Sequence, residues 1–481
     1  MGALAMLFRE QGAEVSGSDM AFDPPMGPAL ADAGITLREG YKAEHIDASM
    51  DLVVVGNAIR RDNAEAVQAE TLGLRRASMS KTLREQFLAT RRPLVVTGTH
   101  GKTTSSSMCA FILSKAELEP GYFIGGIPKN LPSGAAIGGN RRKLATSSGA
   151  VVPRPGQRPP FVVEGDEYDA VFWDKKPKFL DYAGVGDDDV VLLTSIEHDH
   201  VDIYATKEAY EAEFIKLLQV HPEGGLLVCD ARDQVVRKLV GEHCRSKVVY
   251  YGLDGDNTGD ITPTWTAAMV PPTDAGMQPF DVFIGGMSCG RFELRVPGAH
   301  NVRNALGAMA AAAEGFGVAV SKARTAMAQF DGVKRRQDLV ASPDGVSLYD
   351  DFAHHPTAVD ETLRALRSKH RAGKLFAVFE PRSATACRSV HQAQYVTAFG
   401  AADRVIFAPL GRSNIPEAER LDTAKLAQDI GERAKATASV DEIIELLVAE
   451  TRPGDVVALL SNGAFGGIYQ KLTARLADRG H

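Results

Sequence analysis

The chain of 481 residues is too long for one ordinary domain, and its 44% hydrophobic and 24% charged residues are typical of a soluble globular protein. A net charge of −7 without a strongly basic block excludes nucleic acid as an expected partner. There is no apolar run of membrane-spanning length, no signal-peptide pattern and no CxxC spacing among the five cysteines. We therefore expect a cytoplasmic protein with reduced thiols and no membrane contact, present as a monomer or weak homodimer.

The first segment alternates between helix and strand signals. GALAMLFREQ reads as a helix, AEVSGSD as a strand that ends at Asp19, and DLVVVGNA as a second strand. This alternation predicts an α/β unit over residues 1–90.

The stretch VVTGTHGKTTSSSM contains a short glycine loop between a strand and a helix. Only Thr99 and His100 separate Gly98 from Gly101-Lys102, whereas the usual phosphate-binding loop has four residues there. The strand–loop–helix context still predicts a phosphate site, because backbone N–H groups and the helix N-terminus favour an anion. Lys102 would neutralise the γ-phosphate and the Thr103 hydroxyl would hold Mg²⁺, while the alternative is an ordinary glycine turn.

Two further strands end in groups that could hold a metal. FVVEG ends near Glu164, which suits Mg²⁺ because that ion prefers oxygen ligands, although a solvated acidic loop is the alternative. VVLLTSIE is followed by HDHVD, whose two histidines could indicate zinc. No cysteine or third histidine stands near them, so one imidazole completing a Mg²⁺ site is preferred, with His200 favoured over His198.

Residues 121–160 are rich in Gly, Pro, Ser and Arg, which predicts loops and an insertion around residues 139–160. A polar, proline-rich stretch then leads into the helix GAHNVRNALGAMAAAAEGFG. Asn301 and Asn304 lie three residues apart at its start and therefore face one way. Their carboxamides could hydrogen-bond to the donor and acceptor edges of adenine, but ordinary helix capping is the alternative.

After FDGVKRRQD the α/β alternation restarts, with strands predicted at SLYDDFA, KLFAVFE, RVIFAPL, ASV and DVVALLS. Arg336 and Asp351 could reach across an interdomain cleft to the nucleotide or could be surface ion-pair partners. Arg382 and Asn462 directly follow strands, where open α/β sheets bind ligands, with loop packing as the alternative. The predicted domains are residues 1–90, 91–332 and 333–481.

Five motifs, in this order, resemble the Mur ligases of bacterial cell-wall synthesis over essentially the whole chain: GTHGKTT, EGDEYD, SIEHDHVDIY, HNVRNA and DDFAHHPTA. The resemblance implies a three-domain α/β fold: a truncated Rossmann-like UDP-sugar domain, a central P-loop ATPase domain and a Rossmann-like C-terminal domain. It also implies ATP and Mg²⁺ as cofactors. The implied catalytic and metal residues are Lys102, Glu164, His200 and Thr103. The implied ATP-binding residues are Gly98, Thr99, His100, Gly101, Lys102, Thr103, Thr104, Asn301, Asn304, Arg336 and Asp351.

The substrates follow from the same resemblance. Mur ligases of this type act on UDP-N-acetylmuramate, and Asp19, Arg382 and Asn462 are the expected substrate contacts. VEGDEYDAVFWDKKPKF, FEPRS and LLSNGAFGGIYQKL resemble the members that add the murein tripeptide L-alanyl-γ-D-glutamyl-meso-diaminopimelate. L-alanine as the amine, or a non-catalytic UDP-sugar- or nucleotide-binding regulator, are the alternatives.

Two departures from the family pattern bear on these expectations. Phe214 stands about where some relatives carry a carbamylated lysine, so no carbamylation is expected. The family's first strand and its glycine-rich turn for the UDP diphosphate would lie before Met1. On that reading, the sequence as given would bind the UDP-sugar weakly.

Overall fold

The computed structural model describes residues 1–23, 26–139, 158–273, 276–412 and 414–479. The insertion predicted around residues 139–160 lies largely outside these ranges. The described helices and strands alternate along the chain and form one long sheet, one six-stranded sheet and three short two-stranded sheets. No helix among the described residues is long and apolar enough to cross a bilayer.

The first unit contains two separate pairs of parallel strands. Strand β1 pairs with β2, and β3 pairs with β4. Its elements are α1 (Gly2–Glu10), β1 (Ser16–Asp19), α2 (Met26–Asp32), β2 (Thr36–Glu39), β3 (Val53–Val55), α3 (Ala64–Thr71), β4 (Arg76–Ser78) and α4 (Met79–Leu83).

The central unit is built on a ten-stranded sheet in the order β16-β15-β14-β13-β12-β11-β5-β8-β6-β7, and β9 and β10 form a separate hairpin. Its strands are β5 (Arg92–Thr97), β6 (Gly121–Phe123), β7 (Ala135–Ala136), β8 (Pro160–Gly165), β9 (Asp169–Val171), β10 (Asp174–Pro177), β11 (Val190–Leu193), β12 (Leu226–Asp230), β13 (Lys247–Leu253), β14 (Trp265–Met269), β15 (Gln278–Ile284) and β16 (Met287–Leu294). Its helices are α5 (Lys102–Lys115), α6 (Phe179–Tyr182), α7 (Lys207–Val220), α8 (Gln234–His243), α9 (Ala299–Phe316) and α10 (Val320–Ala328).

Helices cover both faces of this sheet, which explains why its middle strands read as continuous apolar runs. In β5, Leu94 and Val96 pack with α5 and α9 on one face, while Val95 packs with α6, α7 and α8 on the other. All neighbouring strands of this sheet from β6 to β14 pair in parallel. The antiparallel strands β15 and β16 lie in the stretch interpreted as polar and proline-rich, and the sequence analysis missed them and β14.

The third unit has a six-stranded sheet in the order β17-β18-β22-β19-β20-β21, parallel except at β17. Its elements are β17 (Asp338–Ala341), β18 (Ser347–Asp351), α11 (Pro356–Lys369), β19 (Leu375–Phe379), α12 (Gln392–Ala398), β20 (Arg404–Phe407), α13 (Thr423–Ile430), β21 (Ala434–Ala436), α14 (Val440–Glu450), β22 (Val456–Leu460) and α15 (Ile468–Arg479). The strand predicted at ASV, residues 438–440, is wrong. The strand lies earlier, at β21, because the Ser439 side chain accepts a hydrogen bond from the Glu442 amide and thereby caps α14.

Candidate active site

A cavity of about 520 Å³ lies between the central and third units, at the carboxyl ends of β5, β8, β11 and β12. Most residues singled out from the sequence line it, although they come from distant parts of the chain. Those lining it are Thr99, His100, Gly101, Lys102, Thr103, Thr104, Glu164, His200, Asn301, Asn304, Arg336, Asp351 and Asn462. Gly98, Asp19 and Arg382 are not among its lining residues.

The short glycine loop connects β5 to α5, as the sequence predicts, and has a conformation that requires glycine. Gly98 has φ of +120°, and a Cβ there would lie 2.4 Å from Thr194 Oγ1. Gly101 has φ of +78°, and a Cβ there would lie 2.4 Å from Asn304 Oδ1. Among the described residues, no side chain caps the N-terminus of α5, and its first three residues, Lys102, Thr103 and Thr104, line the cavity. This arrangement suits a phosphate group.

Lys102 folds back over this loop. Its Nζ donates to the carbonyls of Gly98 and Thr99, at 2.6 and 3.1 Å, and to Glu167 Oε1 at 2.8 Å. The Lys102 side chain is 13% exposed and that of Glu167 is 2% exposed, so the ion pair is almost fully buried. The ammonium group is thus fixed beside the amides that would surround a phosphate.

Thr103 and Glu164 bring two oxygen donors together. The Thr103 hydroxyl donates to Glu164 Oε1 at 2.7 Å, and the Gly125 amide donates to Glu164 Oε2 at 2.7 Å. The Thr103 hydroxyl at the start of α5 and the Glu164 carboxylate at the end of β8 are oxygen ligands of the kind that Mg²⁺ prefers. The residues present therefore fit the predicted magnesium site.

The two histidines of HDH have different surroundings. His200 lines the cavity, with its ring centroid 4.3 Å from that of Tyr168 and its Nε2 3.9 Å from Glu167 Oε2. It has φ of +54°, an unusual backbone conformation for a non-glycine residue. His198 is not among the lining residues, and its Nε2 lies 3.0 Å from the Tyr204 carbonyl. The geometry is consistent with the preference for His200 as the cavity residue.

Asn301 and Asn304 both line the cavity from the first turns of α9, but their contacts differ. Asn301 Nδ2 donates to the Pro297 carbonyl at 2.8 Å and to Gln337 Oε1 at 3.3 Å. Asn304 lies against Gly101 of the phosphate loop. The Asn301 amide thus links α9 to the start of the third unit.

Arg336 and Asp351 approach the cavity from the third unit. The Arg336 guanidinium carbon lies 4.9 Å from the centroid of the Phe352 ring. Asp351 accepts from the Gln337 and Ala353 amides, at 2.7 Å each. Burial raises the pKa of Asp351, with the Arg336 charge opposing the rise.

The remaining substrate candidates lie in two separate places. Arg382 packs against Gly463, next to Asn462, because β19 and β22 are neighbours and both end there. Its Nη1 lies 3.6 Å from Glu380 Oε1. Asn462 Oδ1 is buried and has no hydrogen-bond partner among the described residues. Asp19 lies in the first unit, where it accepts from Tyr41 at 3.3 Å.

The sequence analysis missed Glu167 as a site residue. Besides Lys102, it accepts a hydrogen bond from the Tyr210 hydroxyl at 3.1 Å, and its backbone carbonyl accepts from the Tyr204 hydroxyl at 2.7 Å. Its Oε2 is buried without a hydrogen-bond partner among the described residues. The available signal was its place in EGDEYD, three residues after Glu164, in the loop that follows β8.

Comparison with known proteins gives matches along most of the chain. The model for the Mur ligase family, catalytic domain, matches residues 1–91, the Mur ligase middle domain matches residues 181–312, and the Mur ligase, glutamate ligase domain matches residues 335–463.

Individual relatives match over nearly their whole length. An Escherichia coli protein named UDP-N-acetylmuramate–L-alanyl-γ-D-glutamyl-meso-2,6-diaminoheptandioate ligase is 35% identical, covering 100% of this chain and 96% of that protein. A Symbiobacterium thermophilum protein named UDP-N-acetylmuramate–L-alanine ligase is 32% identical, and the match covers 100% of this chain and 93% of that protein. The crystal structure of a murein peptide ligase from Psychrobacter arcticus superposes with a TM-score of 0.69 at 30% identity, covering 99% and 96%.

Proposed function

Because this chain belongs to the Mur ligase family, we propose that it joins UDP-N-acetylmuramate to the tripeptide L-alanyl-γ-D-glutamyl-meso-diaminopimelate at the expense of ATP. The observation that carries the proposal is the single cavity that combines the phosphate loop and Lys102 with the metal-type donors Thr103 and Glu164. Residues of the third unit complete the same cavity, so an amine substrate held there would face the nucleotide.

The reaction has two steps. The lactyl carboxylate of UDP-N-acetylmuramate attacks the γ-phosphorus of ATP, which gives an acyl phosphate and ADP. The α-amine of the tripeptide then attacks the acyl carbon, and phosphate leaves. Phosphoryl transfer requires mainly positioning and charge neutralisation from the protein.

Different residues of this chain are proposed to provide positioning and charge neutralisation. The α5 amides and the Lys102 ammonium hold and neutralise the phosphates, and Glu167 holds the ammonium in place. Asn301, Asn304, Arg336 and Asp351 are proposed to bind the remainder of ATP. Thr103, Glu164 and His200 would hold Mg²⁺, which supplies positive charge to the phosphate oxygens when bound.

The tripeptide is preferred to L-alanine as the amine on two grounds. The E. coli relative is named as the tripeptide-adding ligase, and Arg382 and Asn462 lie together at the end of two adjacent strands. A guanidinium and a free carboxamide oxygen there suit the carboxylate and ammonium groups at the diaminopimelate end. The alanine ligase stays the alternative because the S. thermophilum relative carries that name. A competition assay decides between them: tripeptide and L-alanine are offered together with UDP-N-acetylmuramate and ATP, and product dominated by L-alanine overturns the proposal.

Removing the Arg382 guanidinium should weaken use of the tripeptide selectively. We expect Arg382→Ala to raise the KM for tripeptide about tenfold or more, because a charge-assisted hydrogen bond to a carboxylate contributes about 1.5–3 kcal/mol. The KM for ATP should change little, since Arg382 does not line the nucleotide cavity. The matched control is Arg364→Ala, which removes an exposed guanidinium that pairs with Asp360 on α11. Equal increases in both KM values would contradict the assignment.

Removing the Glu164 charge should change the magnesium requirement. Glu164→Gln keeps the side-chain shape but provides a weaker metal ligand, so we expect half-maximal turnover to need about 10–100 times more free Mg²⁺. Turnover is measured against free Mg²⁺ at saturating ATP. Asp174→Asn, on the β9–β10 hairpin outside the cavity, is the control. An unchanged magnesium curve for Glu164→Gln would exclude Glu164 as a ligand.

A further inference from the structure

His100, Glu197 and His355 form a compact cluster where the central and third units meet. His100 belongs to the phosphate loop, Glu197 follows β11, and His355 is the N-cap of α11. One potential ligand atom from each residue lies within 4.8 Å of the other two. His100 Nε2 lies 2.8 Å from Glu197 Oε2, and His355 Nδ1 lies 3.8 Å from the same oxygen.

Two imidazoles and one carboxylate are a ligand set that zinc uses with an open fourth position. Zinc bonds of about 2.0–2.1 Å in tetrahedral geometry place neighbouring ligand atoms about 3.3 Å apart. The distances of 2.8 and 3.8 Å from Glu197 Oε2 to the two imidazole nitrogens lie on either side of that value, and the potential ligand atoms of all three residues lie within 4.8 Å of one another.

A metal requires neutral imidazoles and an ionised carboxylate as ligands, and these residue types provide both. The Glu197 side chain is 39% exposed, which leaves a path for an ion from solvent.

We propose that His100, Glu197 and His355 bind one zinc ion, which ties helix α11 of the third unit to the phosphate loop of the central unit. The site is distinct from the proposed magnesium site, whose donors are Thr103, Glu164 and His200. Nothing in the amide-forming reaction requires this ion. Its effect is to fix the separation between the loop and the helix.

The test uses the full chain, freed of metal, in buffer with millimolar Mg²⁺ to occupy the magnesium site. Zinc affinity is measured by competition with a chromophoric chelator, and Co²⁺ is used as a spectroscopic substitute. We expect one zinc per chain, with visible Co²⁺ bands of the intensity typical of four-coordinate sites.

The discriminating variant is His355→Asn. In the metal-free protein the Thr357 amide donates to His355 Nδ1 at 3.4 Å, a bond that zinc would displace, and Asn removes the imidazole while offering α11 another good N-cap. We expect it to lower zinc affinity by about 100-fold and to abolish the Co²⁺ bands. Glu197→Gln should also lower zinc affinity and abolish the Co²⁺ bands. Because two variants are compared, a folding defect in one of them cannot by itself explain the loss of zinc. Unchanged zinc affinity in both variants overturns the proposal. The proposal is also overturned if His200→Asn loses zinc binding while His355→Asn keeps it, since the ion would then occupy the magnesium site.

Discussion

Lys102→Ala should reduce ADP formation that depends on both UDP-N-acetylmuramate and tripeptide by at least about 10²–10³-fold. Removing one preorganised group that stabilises transition-state charge commonly has an effect of this size. Lys102 is held by the Gly98 and Thr99 carbonyls beside the amides of α5, so its charge is fixed at the phosphate loop. The measurement is coupled ADP release at saturating substrates, with ATP binding determined separately by calorimetry.

Loss of the fold would mimic this result, so the variant needs a structural control. Far-ultraviolet circular dichroism and a thermal melt should show that the alanine variant is folded at the assay temperature. Lys81→Ala, which removes an exposed lysine in the middle of α4, should keep full activity. Near-normal turnover of a folded Lys102→Ala protein would exclude the glycine loop as the site of phosphoryl transfer.

The parts of the site that the sequence predicts are those encoded locally. A strand, a glycine turn and a helix occur together in residues 92–115, so their geometry follows from short-range signals. Glu164 could be placed because it lies at the carboxyl end of a buried strand, and His200 because it follows one. In a parallel sheet, the carboxyl ends of neighbouring strands meet at one edge.

The parts that the sequence did not reveal depend on long-range contacts or on weak local patterns. The pairing of Glu167 with Lys102, and of Glu197 with His355, joins residues far apart in the chain, and no spacing rule identifies such partners. Strands β15 and β16 were missed because their exposed faces carry polar residues and their segment contains several prolines. The ASV error arose because β-branched valine at Val440 resembles a strand residue but here begins α14.

Glu167→Gln should lower stability through the loss of a buried charge partner. The pair is almost entirely shielded from water, and breaking a buried ion pair by removing one partner costs about 3–5 kcal/mol. The amide oxygen of Gln can still accept from the Tyr210 hydroxyl and the ammonium, which both donate to Glu167 Oε1, but the amide cannot neutralise the Lys102 charge. We expect a lower free energy of unfolding in denaturant titrations and a reduced kcat, because the ammonium loses its fixed position.

The double variant Lys102→Ala, Glu167→Gln separates the structural role of this pair from its catalytic role. Each single variant leaves one buried charge without its partner, whereas the double variant leaves neither charge. Stability should therefore recover in the double variant relative to both single variants, with a coupling free energy of about 0.5–3 kcal/mol. Activity should stay as low as in Lys102→Ala, because the phosphate-stabilising charge is still absent. Additive losses of stability would show that Glu167 does not hold Lys102. Recovered activity would show that the Lys102 charge is not required for catalysis.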